Sequence, residues 1–134
     1  DIVPKLIDFN NSRYGSSKVS FVCLDAAEDV LPRADMYLVR QVLQHLDNNT
    51  IKSILAKLSD LPICLITEHQ HERPVVYNKE KPSGADTRVT QRSGVYPDKP
   101  PFNVRATVVA QMPMKDGPSS SILTSYLLRR EHAE

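Results

Sequence analysis

Twelve residues, DMYLVRQVLQHL from Asp35 to Leu46, narrow the possible folds more than any other stretch of this 134-residue chain. Met36 to Val39 is a short apolar run of the kind that forms a strand buried on both faces. Polar Arg40 and Gln41 interrupt it. Val42, Leu43 and Leu46 then resume an apolar pattern at helical spacing, with His45 among them. A strand that ends in polar groups and turns at once toward a helix is typical of an α/β sheet, whose ligands sit outside the carboxyl ends of the strands. Arg40, Gln41 and His45 therefore stand at the edge of any site.

The flanking sequence continues the winding. Val3 to Tyr14 reads as a helix, with Pro4 in its first turn, Leu6, Ile7 and Phe9 on an apolar side and Gly15 as a stop. Lys18 to Leu24 (KVSFVCL) reads as a strand and Asp25 to Asp29 as a loop. Asp47, Asn48 and Asn49 carry helix-starting side chains, and Ile51, Ile54, Leu55 and Leu58 recur at helical spacing, which predicts a helix over Asn49 to Leu58. Pro62 to Thr67 is another buried strand, ending at Glu68 and His69. Seven of the ten prolines fall between Pro74 and Pro118, and Gln70 to Asn103 reads as one long polar loop, of a length that is functional or disordered. Val104 to Met114 and Ile122 to Leu128 are two further strands, joined by turn chemistry at Lys115-Asp116-Gly117-Pro118 into an antiparallel hairpin. The tail from Arg129 to Glu134 reads as frayed. With the first three strands parallel, the chain is expected to be one α/β domain over residues 1–134.

Charge excludes some partners. Seventeen Lys and Arg against sixteen Asp and Glu leave a net charge of +1, without the basic footprint that nucleic acid requires. No apolar run approaches the roughly 18 residues of a membrane span, and the start is no signal peptide. A cytoplasmic protein that touches neither nucleic acid nor membrane is the expectation. Cys23 and Cys64, each inside an apolar strand, read as buried free thiols.

Several strings, with the order of elements, resemble the class I S-adenosylmethionine-dependent methyltransferases: DIVPKLI at the start, FVCLDAAEDVLPRADMYLVRQVLQHL in the middle and GVYPDKPPFNV before the hairpin. The resemblance covers nearly all of the chain, and Leu31 to Leu46 is its most specific part. It implies a Rossmann-like, mostly parallel sheet closed by a carboxyl-terminal antiparallel hairpin. It implies S-adenosylmethionine as cofactor, with Asp1 and Ile2 at the ribose, Asp25 and Ala26 at the adenine, and Arg40 near the methionine part. Gln41, His45 and Glu68 would flank the methyl group and the acceptor as the catalytic set, and the acceptor itself is not legible. The family's first strand and Gly-x-Gly-x-Gly turn find no match, since the four glycines stand at Gly15, Gly84, Gly94 and Gly117. On that template the domain lacks its amino-terminal part, which implies an inactive chain. An unpaired edge on the strand Met36–Val39 then favours a homo-oligomer.

Two other readings compete. His69 and His71 alternate in Glu68-His69-Gln70-His71-Glu72 and could face one side of an extended segment as zinc ligands, but no third ligand is visible, so no metal site is assigned. The competing function is a non-catalytic binding or self-associating remnant of a methyltransferase fold.

Overall fold

The structure is a computed structural model that describes residues 1–114 and 120–130. It separates into two compact units, Asp1–Pro32 and Arg33–Glu134.

In the first unit, helix α1 (Pro4–Tyr14) starts as its sequence predicts, with proline in the first turn and the Val3 carbonyl accepting from Leu6 and Ile7 N–H. Lys18–Leu24, expected as a strand, joins no sheet. Other groups meet its backbone. The Asn11 side chain accepts from Phe21 N–H (2.8 Å) and donates to Phe21 carbonyl (2.7 Å), while Leu24 N–H donates to Asp1 carbonyl (2.9 Å). A side-chain amide offers the same donor and acceptor as a neighbouring strand, so the segment is extended without a ladder. Cys23, expected buried in that strand, is exposed.

The second unit holds a four-stranded sheet, β1 (Tyr37–Arg40), β2 (Ile63–His71), β3 (Thr107–Pro113) and β4 (Ser121–Arg129), in the order β1-β2-β4-β3. β1 and β2 run parallel, as read, with Tyr37 beside Cys64 and Arg40 beside Thr67. β2 outruns its expected end by four residues because all nine of its residues pair antiparallel with β4, from Ile63–Arg129 to His71–Ser121. β3 and β4 are antiparallel, also as read, with an irregularity between Val108 and Ala110. The turn at Lys115–Pro118 and residues 131–134 lie outside the described residues.

Helix α2 (Asn48–Ser59) connects β1 to β2 and buries Ile51, Ile54, Leu55 and Leu58, the residues whose spacing predicts it. Asp47 caps it. One carboxylate oxygen accepts from Thr50 N–H (3.0 Å), and the other from the hydroxyls of Thr50 and Ser83 (2.7 Å each). These bonds hold the Asp47 carboxyl far below the usual carboxylate range. Cys64 is buried in β2, which pushes its thiol up to about 11.

The expected loop from Gln70 to Asn103 is tightly organised. Gln70 and His71 belong to β2, and Val89–Gln91 forms one 3-10 turn. Asn78, buried and left-handed (φ 50°), donates to the carbonyls of Tyr96 and Pro100 (2.9 Å each) and accepts from Tyr96 N–H (2.7 Å). Gly94 bridges to Gln70 so closely that a Cβ would lie 2.9 Å from the Gln70 Cα. A side chain there would force the loop off the strand.

Candidate functional site

The carboxyl end of β1 lies beside Thr67 in the middle of β2, and the chain leaves β1 through an unusual corner. Gln41 takes the left-handed conformation (φ 54°), and its N–H still bonds the Thr67 carbonyl (2.8 Å), one step past the last ladder pair. That conformation is disfavoured for a residue with a Cβ. A 3-10 turn, Leu43–His45, follows where helical spacing suggests a longer element.

Glu68 makes the corner stable. Fully buried on β2, its carboxylate accepts from the N–H groups of Val42 (3.2 Å), Leu43 (2.9 Å) and Gln44 (3.1 Å). These are the N–H groups a short helical turn leaves without internal partners. Burial pushes the carboxyl up to about 7, against the opposite pull of the three N–H groups and of Arg88. Glu68, read from the resemblance as flanking the acceptor, has its carboxylate engaged by the backbone of the corner.

Arg88 holds the same segment from the other side, through its carbonyls. It is 1% exposed. Its guanidinium donates to the carbonyls of Gln44 (3.2 Å), Leu46 (2.7 Å) and Lys79 (2.6 Å) and to Asn48 Oδ1 (3.0 Å). Desolvation lowers its proton affinity, and the charges of Glu80, Glu68 and Asp47 oppose that. The His45 carbonyl accepts from Gly84 N–H (2.8 Å) and Lys81 Nζ (3.2 Å). Carboxylate on the N–H side and cations on the carbonyl side fix residues 42–46.

What this frame presents is His45. Its Nδ1 lies 3.1 Å from the Ala85 carbonyl and its Nε2 3.1 Å from Gln44 Nε2. Arg40 is exposed at the end of β1. The second unit thus brings Arg40, Gln41, His45 and Glu68 together around the carboxyl end of β1. The other expected residues lie in the first unit. There the Leu24–Asp1 hydrogen bond places Asp1 and Ile2 beside Asp25 and Ala26. Asp1 Oδ1 accepts from Val3 N–H (3.0 Å) and Asp25 Oδ1 from Ala27 N–H (2.8 Å).

Gln44 and Arg88 escaped the sequence reading. Gln44 sits among residues at helical spacing and looks like a solvated polar position, yet it is 6% exposed. Arg88 stands in an unpatterned loop. Its only signal is a lone cation between Thr87 and Val89. His69, once a zinc candidate, is half-buried, and desolvation lowers its proton affinity. Among the described residues no group of three or more His, Cys, Asp or Glu could hold a metal ion, and no helix is long and apolar enough to cross a membrane.

No family model matches the chain, and no curated protein does. Two solved structures are similar to it, both of the N-methyltransferase NodS from Bradyrhizobium japonicum WM9. One is 15% identical with a TM-score of 0.57, covering 97% of this chain and 71% of that one. The other, in complex with S-adenosyl-L-homocysteine, is 16% identical with a TM-score of 0.57, covering 96% of this chain and 64% of that one. The fold is therefore a class I methyltransferase-like α/β fold.

Proposed function

We propose that the chain is an S-adenosylmethionine-dependent methyltransferase-like domain whose own contribution is the acceptor side of the reaction. The observation that carries this is the Gln41–Leu46 corner, which Glu68 and Arg88 brace at the carboxyl end of β1, beside its parallel neighbour β2. Bracing backbone on both its donor and acceptor sides is what a site needs when rate comes from orientation. The residues suit the cofactor in part. Asp1 and Asp25 each have one oxygen engaged by backbone, so each offers its other oxygen to a ribose diol or an adenine amine. In the second unit, Arg40 and Gln41 are the residues that the resemblance assigns to the methionine part. No Gly-x-Gly-x-Gly run is found among the 134 residues to let backbone approach the cofactor.

S-adenosylmethionine, when bound, supplies a methyl group on a sulfonium. This chain's residues do the rest. Gln41 and the fixed corner orient the acceptor, and His45 is the base for the proton that a nitrogen or oxygen nucleophile releases, its Nε2 reached once the Gln44 amide swings off it. With a net charge of +1, the acceptor we favour is a small molecule, neither nucleic acid nor membrane lipid. A second reading, a self-associating module without catalysis, draws on the outward edge of β1, where Leu38 is 70% exposed.

Titration with S-adenosyl-L-homocysteine separates them. Calorimetry should show no binding tighter than about millimolar, roughly 4 kcal/mol. Amide NMR at millimolar ligand should still show shifts confined to residues around Asp25 and around Arg40 to His45. Micromolar binding would show that another segment replaces the glycine turn. An unchanged spectrum would sink the methyltransferase reading and leave the self-associating one.

A further inference from the structure

We infer that Gln44 is a positioning residue that follows the proton on His45, its side-chain amide presenting N–H to the neutral imidazole and its carbonyl oxygen to the imidazolium. The catalytic sense of this rests on the methyltransferase reading; the hydrogen-bond logic does not.

The argument starts at Ala85. A carbonyl only accepts, so the 3.1 Å contact between His45 Nδ1 and the Ala85 carbonyl requires Nδ1 to carry a proton. The neutral ring then has its lone pair at Nε2, the atom facing Gln44 Nε2 at 3.1 Å. The amide N–H donates there. The other end of the same amide, Gln44 Oε1, is buried and has no hydrogen-bond partner among the described residues. An acceptor left unmet in the interior is unfavourable and calls for a reason. Charging His45 supplies one. With a proton at Nε2 both ring nitrogens are donors, and the amide N–H that served the lone pair would oppose another N–H. Rotating the amide by half a turn puts Oε1 against Nε2–H and satisfies the imidazolium. The proton is bound at Nε2 and no covalent bond of Gln44 changes.

The backbone on both sides of the amide is held. Gln44 N–H is held by Glu68 and its carbonyl by Arg88. Lys81 Nζ and Gly84 N–H hold the His45 carbonyl. The charged groups that contact the pair are Glu68 from β2 and Arg88 and Lys81 from the loop after β2. A general base whose partner serves both charge states keeps its ring orientation through proton uptake and release.

The test needs no cofactor. In the full chain labelled with nitrogen-15, long-range ring spectra should show the neutral His45 protonated at Nδ1. The Gln44 side-chain amide signals should move with pH at the same midpoint as the ring. Gln44→Glu, which offers only acceptors, should raise that midpoint by about one pH unit or more, a tenfold gain in proton affinity. A neutral ring protonated at Nε2, or a Gln44 amide that ignores the titration, would overturn the inference from the native chain alone. So would a Gln44→Glu midpoint equal to the native one. Co-titration without any response to S-adenosyl-L-homocysteine would instead keep the pair and remove the methyltransferase reading.

Discussion

A single carboxyl, Glu68, joins the site's geometry to the stability of the fold. Its proton affinity is raised by burial to about 7, from an ordinary value of 4.5. A carboxyl that holds its proton more tightly folded than unfolded contributes stability fully below about pH 4.5, and that contribution is lost as pH rises through about 7. The difference of about 2.5 pH units amounts to about 3 kcal/mol. Asp47 works in the opposite direction, because its bonds stabilise the charged form and their contribution is lost as pH falls. The native profile therefore mixes the two, and Glu68→Gln separates them. Urea unfolding of both chains between pH 4.5 and 8 should show native stability falling relative to the variant by about 3 kcal/mol across that range. The variant should also carry a pH-independent loss of about 1–3 kcal/mol, since its NH2 group meets backbone donors that need acceptors. A difference that stays flat with pH would mean that Glu68 does not titrate near neutrality.

At the level of elements, the braced corner ties α2, the loop after β2, the end of β1 and the middle of β2 into one unit, with Arg88 as the tie. Arg88→Ala leaves the carbonyls of Gln44, Leu46 and Lys79 and the Asn48 side chain without their donor. The expected loss is about 3–5 kcal/mol in chemical denaturation, the scale of breaking a buried charged network. Arg88→Lys should recover little of it, because one ammonium cannot span the directions a planar guanidinium covers. A loss below about 1 kcal/mol would show that the loop is held without Arg88. The same contrast explains what the sequence could reveal. β2 and α2 were legible because burial imposes periods on Pro62–Thr67 and Ile51–Leu58. β1 was found from the apolar run Met36–Val39, which was expected to be buried on both faces and instead lies half-buried or exposed at the sheet edge. The antiparallel pair was legible from two apolar runs. Lys18–Leu24 misled because its apolar residues carry a strand pattern, while Asn11 and Asp1 satisfy its backbone instead of a neighbouring strand. The order within residues 70–103 was hidden because Asn78 and Arg88 reach partners 18 to 44 residues away, and no local period records such bonds. Arg40, Gln41, His45 and Glu68 could be placed at strand ends from sequence. That Glu68 faces backbone, and that Gln44 is buried, needed the left-handed turn at Gln41, which no residue pattern announces.

At the scale of the whole molecule, the sheet has two edges, and they are not equally guarded. β3 is the outer strand on one side, with an irregular register at Val108–Ala110 and Pro113 at its end, two features that discourage pairing with another chain. β1 is the outer strand on the other side. It pairs with β2 and with no other strand among the described residues, and it has neither a bulge nor a proline. Leu38 at its centre is 70% exposed and Met36 just before it is 49% exposed. Its brevity limits the hazard without removing it, since residues alternating with those bonded to β2 turn their backbone N–H and C=O toward the outer edge. We therefore expect self-association through β1. Light scattering at micromolar concentration should give a mass above 15.1 kDa that falls on dilution. Leu38→Lys should return it to 15.1 kDa, because a charge at the centre of a short edge must be desolvated when a second strand docks. The substitution lies on the strand before the braced corner, so the co-titration of Gln44 and His45 should survive it. A native mass of 15.1 kDa that dilution leaves unchanged would mean that the edge is protected within one chain, and the self-associating reading would go with it.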